Sequence, residues 1–156
     1  MITCKFENGK EVALRHVVVH CLAIKDNQIL LVKRAGEILE SGKWGFPGGF
    51  LDQGESLEEC TVRELKEETG YEGKVIELFH INSNPKRPHD NGRNNVAMEF
   101  IVEIGKKSGE PDWEQSDVNW FDINKIDPET LAFDHGKTIE HLKKYLKGEV
   151  QIPIIE

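Results

Sequence analysis

The acidic stretch GGFLDQGESLEECTVRELKEETGY, residues 48–71, is the part of the sequence best suited to chemistry. It carries seven acidic and two basic residues, in a chain whose formal net charge is already −8 at pH 7. If residues 56–69 form a helix, Glu64, Glu67 and Glu68 share one face, with Cβ atoms about 5–6 Å apart. At an effective dielectric constant of about 20, each pair of bare carboxylates costs on the order of 3 kcal/mol. We therefore expect a positively charged group among them.

A divalent cation is the expected partner of these carboxylates. A solvated acidic face would alternate Glu with Lys and lie opposite the apolar stripe, whereas here Leu57, Cys60 and Leu65 border it. The helical projection predicts that Arg63 and Lys66 point elsewhere. Carboxylate oxygens are the ligands preferred by Mg²⁺ and Mn²⁺, and such ions bridge the oxygens of phosphates. The pattern therefore predicts a metal site for an anionic, phosphate-containing ligand.

Other familiar metal and phosphate motifs are absent from the sequence. There is no EF-hand loop, no HEXXH helix and no GXXXXGK[ST] phosphate loop. His16 and His20 repeat one face of a strand, which predicts packed histidines rather than metal ligands. The acidic helix is therefore the predicted centre of the chemistry.

An α/β arrangement of strands and two helices must position this face. Ser56 is the predicted N-cap, Glu59 completes a capping box, and Gly70 ends the helix. Polar turn residues at 25–28 predict a hairpin between the first two strands. The predicted elements are strands at residues 12–24, 29–34, 74–80 and 96–104, a short strand ending at 120–121, helices at 56–69 and 134–147, and loops at 41–50 and 81–95. Strands interleaved with helices predict a mixed sheet covered by helices.

Composition limits the function classes. A chain of 156 residues predicts one domain, residues 1–156, with its own hydrophobic core. A pI near 5.3 argues against a nucleic-acid backbone partner, and no apolar run reaches the length of a membrane span. The start of the sequence lacks the apolar region of a signal peptide. Three cysteines without paired spacing predict reduced thiols and a cytoplasmic location.

The acidic stretch resembles the Nudix box of the Nudix hydrolases. The only departure is Tyr71, where the family usually has an aliphatic residue, and this leaves the chemistry untouched. The matching positions are Gly49, Glu55, Arg63, Glu64, Leu65, Glu67, Glu68 and Gly70. The resemblance implies an α/β/α sandwich with a mixed β-sheet, and metal-dependent hydrolysis of the diphosphate bond of a nucleoside diphosphate derivative.

The resemblance also implies roles for individual residues. Glu64, Glu67, Glu68 and the backbone carbonyl of Gly48 would be metal ligands, with Mg²⁺ the expected ion and Mn²⁺ the alternative. Glu55 and Arg63 would form a structural pair.

The catalytic carboxylates implied by the resemblance are Glu64, Glu68 and a further acid after the box. For that further acid Glu114 is the first candidate, since it lies six residues before Trp120, and Asp117 is the second. Which carboxylate acts as the general base stays open at this point.

The substrate is less strongly indicated. Pro85 lies fifteen residues after Gly70, an offset characteristic of the ADP-ribose pyrophosphatase branch, which implies cleavage of ADP-ribose to AMP and ribose 5-phosphate. Relatives in this branch are frequently dimers, so a homodimer is also implied. Substrate contacts are expected from six residues: Phe50, Lys86, Arg87, Arg93, Trp113 and Asp134. Trp44 and Phe46 could stack on a base or belong to the core.

Two other functions remain open. A MutT-like enzyme would release pyrophosphate from a (deoxy)nucleoside triphosphate. A non-catalytic nucleotide sensor would bind without cleaving, although such proteins typically lose box residues and this box is intact.

Overall fold

The computed structural model describes residues 2–87 and 92–156. The described residues form two α-helices, α1 (Leu57–Thr69) and α2 (His135–Leu146). The strands are β1 (Ile2–Lys5), β2 (Glu11–Leu14), β3 (Val17–Lys25), β4 (Gln28–Arg34), β5 (Trp44–Gly45), β6 (Tyr71–Asn82), β7 (Val96–Lys107), β8 (Gln115–Asp122) and β9 (Ile154–Ile155). Part of the predicted polar loop, residues 88–91, lies outside the described residues.

Most strands belong to one mixed sheet, in the order β5-β4-β3-β7-β6-β9, with β8 also paired to β4. β3 runs parallel to β7, from Val17 opposite Val96 to Ala23 opposite Val102. β3 and β4 pair only next to their two-residue turn, whereas β8 follows β4 along its length. Beyond this turn β3 and β4 separate. β3 then pairs with β7, and β4 pairs with β5 and β8.

The helices cover opposite sides of β3. Alternate side chains of a strand point to opposite faces, and here Cys21 packs in a cluster with Cys60 and Leu65 of α1. Leu22 packs instead in a cluster that contains Ile139 and Leu142 of α2. One strand thus contributes to two apolar cores. The predicted α/β/α sandwich with a mixed sheet is confirmed.

Local signals set both ends of α1 as predicted. Ser56 Oγ accepts the Glu59 backbone N–H at 3.2 Å, and the Glu59 carboxylate accepts the Ser56 N–H at 2.8 Å. Gly70 has φ 74° and donates its N–H to the Lys66 carbonyl. A Cβ at Gly70 would overlap the carbonyl oxygen of Gly109. Capping residues and glycine therefore fix the length of the helix that carries the acidic face.

Several strand boundaries differ from the predictions. The single strand predicted at 12–24 is wrong, because β2 ends at Leu14 and β3 begins at Val17. Between them Arg15 donates to the carbonyls of Asn94 and Asn95, and the chain passes from the β1–β2 hairpin to the main sheet. The apolar pattern runs across this change of sheet and does not reveal it. β6, β7 and β8 are each longer than predicted, and β1, β5 and β9 were not predicted.

Neither α-helix of the described residues combines the length and the apolar character needed to cross a membrane. Trp44 packs edge-on against Phe121, and Phe46 is buried beside the ring of His135. Both aromatic rings that were predicted as either core or base-stacking groups therefore lie in the core.

Candidate active site

The acidic face of α1 borders a cleft of about 540 Å³. This volume suits a small organic ligand. The acidic residues along it are Glu37, Asp52, Glu64, Glu67, Glu68, Asp112 and Glu114, and its arginines are Arg34, Arg63, Arg87 and Arg93. A cleft with both signs of charge can bind cations and anions at the same time.

Two glycines let the loop before α1 lie flat against β3. Val19 N–H donates to the Gly49 carbonyl at 2.9 Å, and Cys21 N–H donates to the Pro47 carbonyl at 2.8 Å. A Cβ at Gly48 would overlap the Val19 carbonyl oxygen, and one at Gly49 would overlap the Glu64 carboxylate. The Gly48 carbonyl, the predicted metal ligand, lies between the two carbonyls that β3 engages.

Glu68 is the most constrained acid of the cleft, with only 6% of its surface exposed. Its Oε2 accepts the Gly48 N–H at 2.8 Å, and its Oε1 accepts a hydrogen bond from the Gln115 side chain. Burial raises the pKa of Glu68 to about 8, and the neighbouring Glu64 charge adds to the shift, while the Gly48 hydrogen bond opposes it. A cation beside Glu68 would favour its charged form.

Arg63 is the positive group that the helical projection placed elsewhere, and that prediction is wrong. Its Nη1 donates to Glu64 Oε1 at 2.7 Å and to Glu67 Oε2 at 3.0 Å. Arg63 precedes Glu67 by four residues, so the two side chains are neighbours on the helix surface. The single positive charge of Arg63 therefore balances only part of the negative charge of the three carboxylates on the acidic face. Burial nevertheless raises the pKa of Glu64, against the effect of Arg63.

The predicted structural pair of the box is in contact. Arg63 Nε donates to Glu55 Oε2 at 3.0 Å, and Nη2 donates to Glu55 Oε1 at 2.8 Å and to the Phe50 carbonyl at 3.1 Å. This two-pronged hydrogen bond from Arg63, together with the Asp52 N–H, lowers the pKa of Glu55 to about 2. The guanidinium thus ties the loop before α1 to the helix.

Glu55→Gln is expected to lower the free energy of unfolding by about 1.5–3 kcal/mol at pH 7, the usual range for hydrogen bonds to a charged group. The pKa of Glu55 is depressed in the folded state, so this stabilisation is present above about pH 4.5 and is lost as the pH falls towards 2. Urea unfolding of both proteins between pH 2.5 and 7 measures it. Glu103→Gln, at an exposed site on β7, is the control; a pH-independent difference for Glu55→Gln would contradict the prediction.

The structure separates the two candidates for the additional acid. Glu114 lies on the cleft just before β8. Asp117, the second candidate, is exposed on β8 opposite Lys33 and is not among the cleft residues. Asp112, which was not predicted, also borders the cleft and accepts the Glu114 N–H at 3.0 Å.

The six predicted substrate contacts are only partly brought together. Phe50, Arg87 and Arg93 border the cleft. Lys86 is exposed outside it, and Trp113 is 76% exposed and also not among the cleft residues.

Asp134 lies behind Arg87 and is not itself among the cleft residues. Arg87 Nε donates to Asp134 Oδ2 at 2.8 Å, and Nη2 donates to Oδ1 at 2.7 Å. The two side chains are only 6% and 10% exposed. The third nitrogen, Nη1, is buried and has no hydrogen-bond partner among residues 2–87 and 92–156. Arg87 therefore brings to the cleft a guanidinium held by a carboxylate, a group suited to bind an anion.

Two further residues, one on the cleft and one behind Glu68, were missed from the sequence. Arg34, at the end of β4, borders the cleft and lies over the Phe133 ring, 5.0 Å from its centre. Gln115, the first residue of β8, holds Glu68. The position of Arg34 directly after an apolar strand could have predicted a cation at the edge of the sheet. No feature of the sequence around Gln115 predicts its contact with Glu68.

Comparisons with known proteins agree with this geometry. The family model "NUDIX domain" matches residues 14–142. An ADP-ribose pyrophosphatase of Methanocaldococcus jannaschii is 37% identical over 135 residues, which are 85% of this chain and 75% of that protein. An NAD-capped RNA hydrolase of Vibrio atlanticus is 34% identical over 65% of this chain and 35% of its own length. A putative 8-oxo-dGTP diphosphatase of Bacillus subtilis is 45% identical, but over 40% of this chain and 39% of its own length.

Solved structures share the fold. A NUDIX hydrolase from Nitrosomonas europaea superposes with a TM-score of 0.77 at 24% identity, covering 99% of this chain and 92% of its own. An ADP-ribose pyrophosphatase from Streptococcus suis gives 0.72 at 17% identity, covering 92% and 100%. Given the intact box and the family match, the chain belongs to the NUDIX family and is a pyrophosphohydrolase, a hydrolase acting on phosphoric anhydrides.

Proposed function

We propose that this enzyme hydrolyses ADP-ribose to AMP and ribose 5-phosphate in the presence of a divalent cation. The observation that carries the proposal is the buried Nη1 of Arg87, which has no partner within the described part of the chain and belongs to a residue of the same cleft as the box carboxylates. Two linked phosphates offer acceptors to such a donor and to a cation at once. The 37% identical relative named as an ADP-ribose pyrophosphatase supports this substrate.

The carboxylates of Glu64, Glu67 and Glu68, together with the Gly48 carbonyl, would hold the cation. All are hard oxygen donors, which suit Mg²⁺ first and Mn²⁺ second. The raised pKa values of Glu64 and Glu68 show a surplus of negative charge and burial that Arg63 alone does not relieve. A bound ion of this kind supplies a more acidic water and charge stabilisation of the phosphate oxygens.

The remaining residues would bind the substrate and move its protons. Arg87 and Arg34 would donate to phosphate or ribose oxygens, and the 44% exposed ring of Phe50 offers a flat apolar surface to adenine. Glu114 would accept the proton of the attacking water, since it borders the cleft without a role in holding α1. Glu68 and Glu64 are the other candidates for this base.

A MutT-like activity on nucleoside triphosphates is the second candidate function. The Bacillus subtilis relative supports it, but the matched 62 residues cover only 40% of this chain. The M. jannaschii relative matches 85% of the chain and so includes more of the residues around the cleft. This difference in coverage supports ADP-ribose as the first candidate substrate.

A substrate panel tests the proposal. ADP-ribose, NADH, a capped-RNA mimic, dGTP and 8-oxo-dGTP are incubated with the protein and Mg²⁺, and the phosphorus-containing products are identified by ³¹P NMR. We expect AMP and ribose 5-phosphate from ADP-ribose, with a kcat/KM at least tenfold above that of any other substrate. Pyrophosphate from a triphosphate, with ADP-ribose intact, would establish the second candidate. Tight ADP-ribose binding without turnover in Mg²⁺ or Mn²⁺ would point to a sensor.

We further propose a reducing, cytoplasmic setting. Cys4, Cys21 and Cys60 are all free thiols, and two of them are buried. A homodimer, implied by the resemblance, is part of the same proposal and is checked by light scattering.

A further inference from the structure

A second group of metal-type ligands lies outside the acidic cleft, in the cluster His80, His141 and Glu156. His80 belongs to β6, His141 to α2, and Glu156 follows β9. His80 Nε2 lies 3.7 Å from Glu156 Oε2, and His141 Nε2 lies 3.6 Å from Glu156 Oε1. One ligand atom from each residue falls within 4.8 Å of the others.

His80 is oriented as metal-binding histidines usually are. Its side chain is 1% exposed, and its Nδ1 lies 3.0 Å from a carboxylate oxygen of the buried Glu99. Its Nε2 is buried, faces Glu156 and has no hydrogen-bond partner in the portion of the chain that the structure describes. A carboxylate on one ring nitrogen fixes the tautomer and leaves the other nitrogen as a basic ligand.

The distances within the cluster suit an ion better than hydrogen bonds. At 3.6 and 3.7 Å the nitrogen–oxygen contacts are too long for hydrogen bonds. Ligands of a tetrahedral Zn²⁺, each about 2.0–2.2 Å from the metal, lie about 3.3–3.6 Å apart. The two nitrogen–oxygen contacts are within a few tenths of an ångström of this range, and binding would bring all three ligand atoms, now within 4.8 Å of one another, to this spacing.

Glu156 is held in place by its backbone. Its N–H donates to the Ile81 carbonyl at 2.9 Å, and its carbonyl accepts the Ser83 N–H at 2.7 Å. Its Oε2 also accepts from Lys137 Nζ at 2.6 Å, but the Lys137 side chain is 52% exposed and can move without cost to the core. The carboxylate can therefore turn from Lys137 to a metal while its backbone stays in position.

We propose that His80, His141 and Glu156 form a binding site for Zn²⁺ or a similar transition metal, separate from the Mg²⁺-type site of the acidic face. Two imidazoles and one carboxylate favour Zn²⁺ over Mg²⁺, and three protein ligands leave the fourth position to water. The ion would join α2 to β6 and to the segment after β9. Its binding would stabilise the fold without taking part in hydrolysis.

Metal binding to variants tests this site. Wild type, His141→Gln, Glu156→Gln and Glu68→Gln are dialysed against Zn²⁺ or Co²⁺ with millimolar Mg²⁺ present, and bound metal is measured by elemental analysis. We expect wild type and Glu68→Gln to retain one equivalent that both cluster variants lose, with at least 100-fold weaker binding in each. Co²⁺-loaded wild type should show the visible absorption of a four-coordinate site. Zn²⁺ should raise the Tm of wild type but not of the cluster variants.

His16→Gln is the matched control, because it removes a histidine outside the cluster and should leave metal binding unchanged. Far-UV circular dichroism in EDTA checks that both cluster variants are folded, and the use of two separate variants keeps the test valid if one is not. Equal uptake by wild type and the cluster variants would overturn the proposal. So would the absence of uptake by wild type, which would mean that His80 is simply a packed histidine held by Glu99.

Discussion

Glu68→Gln is expected to lower kcat/KM for ADP-ribose by about 10³-fold or more while the protein stays folded. The change removes one charge from the acidic face and one ligand from the cation, both of which act on the developing phosphate charge. Folding should survive, because burial raises the pKa of Glu68 to about 8 and the carboxyl is already largely neutral at pH 7 when no cation is bound. The new amide can accept the Gly48 N–H in place of the carboxylate.

The partner of Glu68 can adapt to the same substitution. Gln115 Oε1 is buried and finds no partner among the described residues, so a rotation of this amide presents an acceptor to the new NH₂ group. The control is Glu58→Gln, an exposed site in the first turn of α1, which should change kcat/KM less than twofold. Steady-state kinetics with Mg²⁺ and thermal unfolding in EDTA measure both effects. Activity within tenfold of wild type would remove Glu68 from the proposed chemistry.

Local sequence signals were sufficient to predict the element at the centre of the site. The capping box of Ser56 and Glu59 and the stop at Gly70 act within one or two turns of α1, so the helix and its acidic face could be predicted without tertiary information. The two-residue turn at Asp26 and Asn27, both with positive φ, is a similarly local feature.

Contacts between distant segments could not be predicted in this way. Gln115 meets Glu68 only because β8 pairs with β4 beside α1, and the sequence contains no mark of that pairing. The metal-type cluster joins β6, α2 and the residue after β9, which are far apart in the sequence. His80 was part of a predicted strand, but nothing around it indicated that Glu156 would lie opposite.

The error over Arg63 has a physical lesson. Arg63 precedes Glu67 by four residues, and side chains four residues apart are neighbours on a helix. The guanidinium reaches Glu67 one turn later and also folds back to Glu64 beside it. The projection should therefore have placed Arg63 at the edge of the acidic face, where its long side chain neutralises part of the charge. The expectation of a metal ion therefore rests on the negative charge that Arg63 leaves unbalanced on Glu64, Glu67 and Glu68.

Removing the Arg87 guanidinium is expected to weaken ADP-ribose binding strongly. A hydrogen bond to a charged group contributes about 1.5–3 kcal/mol, which corresponds to about 10–150-fold in KM. Arg87→Met alone would leave Asp134 as a buried carboxylate without its partner and would destabilise the fold. The double variant Arg87→Met/Asp134→Asn removes both charges together. We expect its KM to rise by this factor with kcat within threefold, because the contact serves ground state and transition state alike.

Lys86→Met is the matched control. Lys86 directly precedes Arg87, is exposed and is not among the cleft residues, so the substitution removes a neighbouring cation from outside the cleft. Its KM should stay within twofold of wild type. Asp134→Asn alone keeps the guanidinium but loosens its two hydrogen bonds, so its KM should lie between those of wild type and the double variant. If Lys86→Met weakened binding as much as the double variant, general attraction by positive charge would explain the affinity. The Arg87 guanidinium would then not be the group that recognises the phosphates.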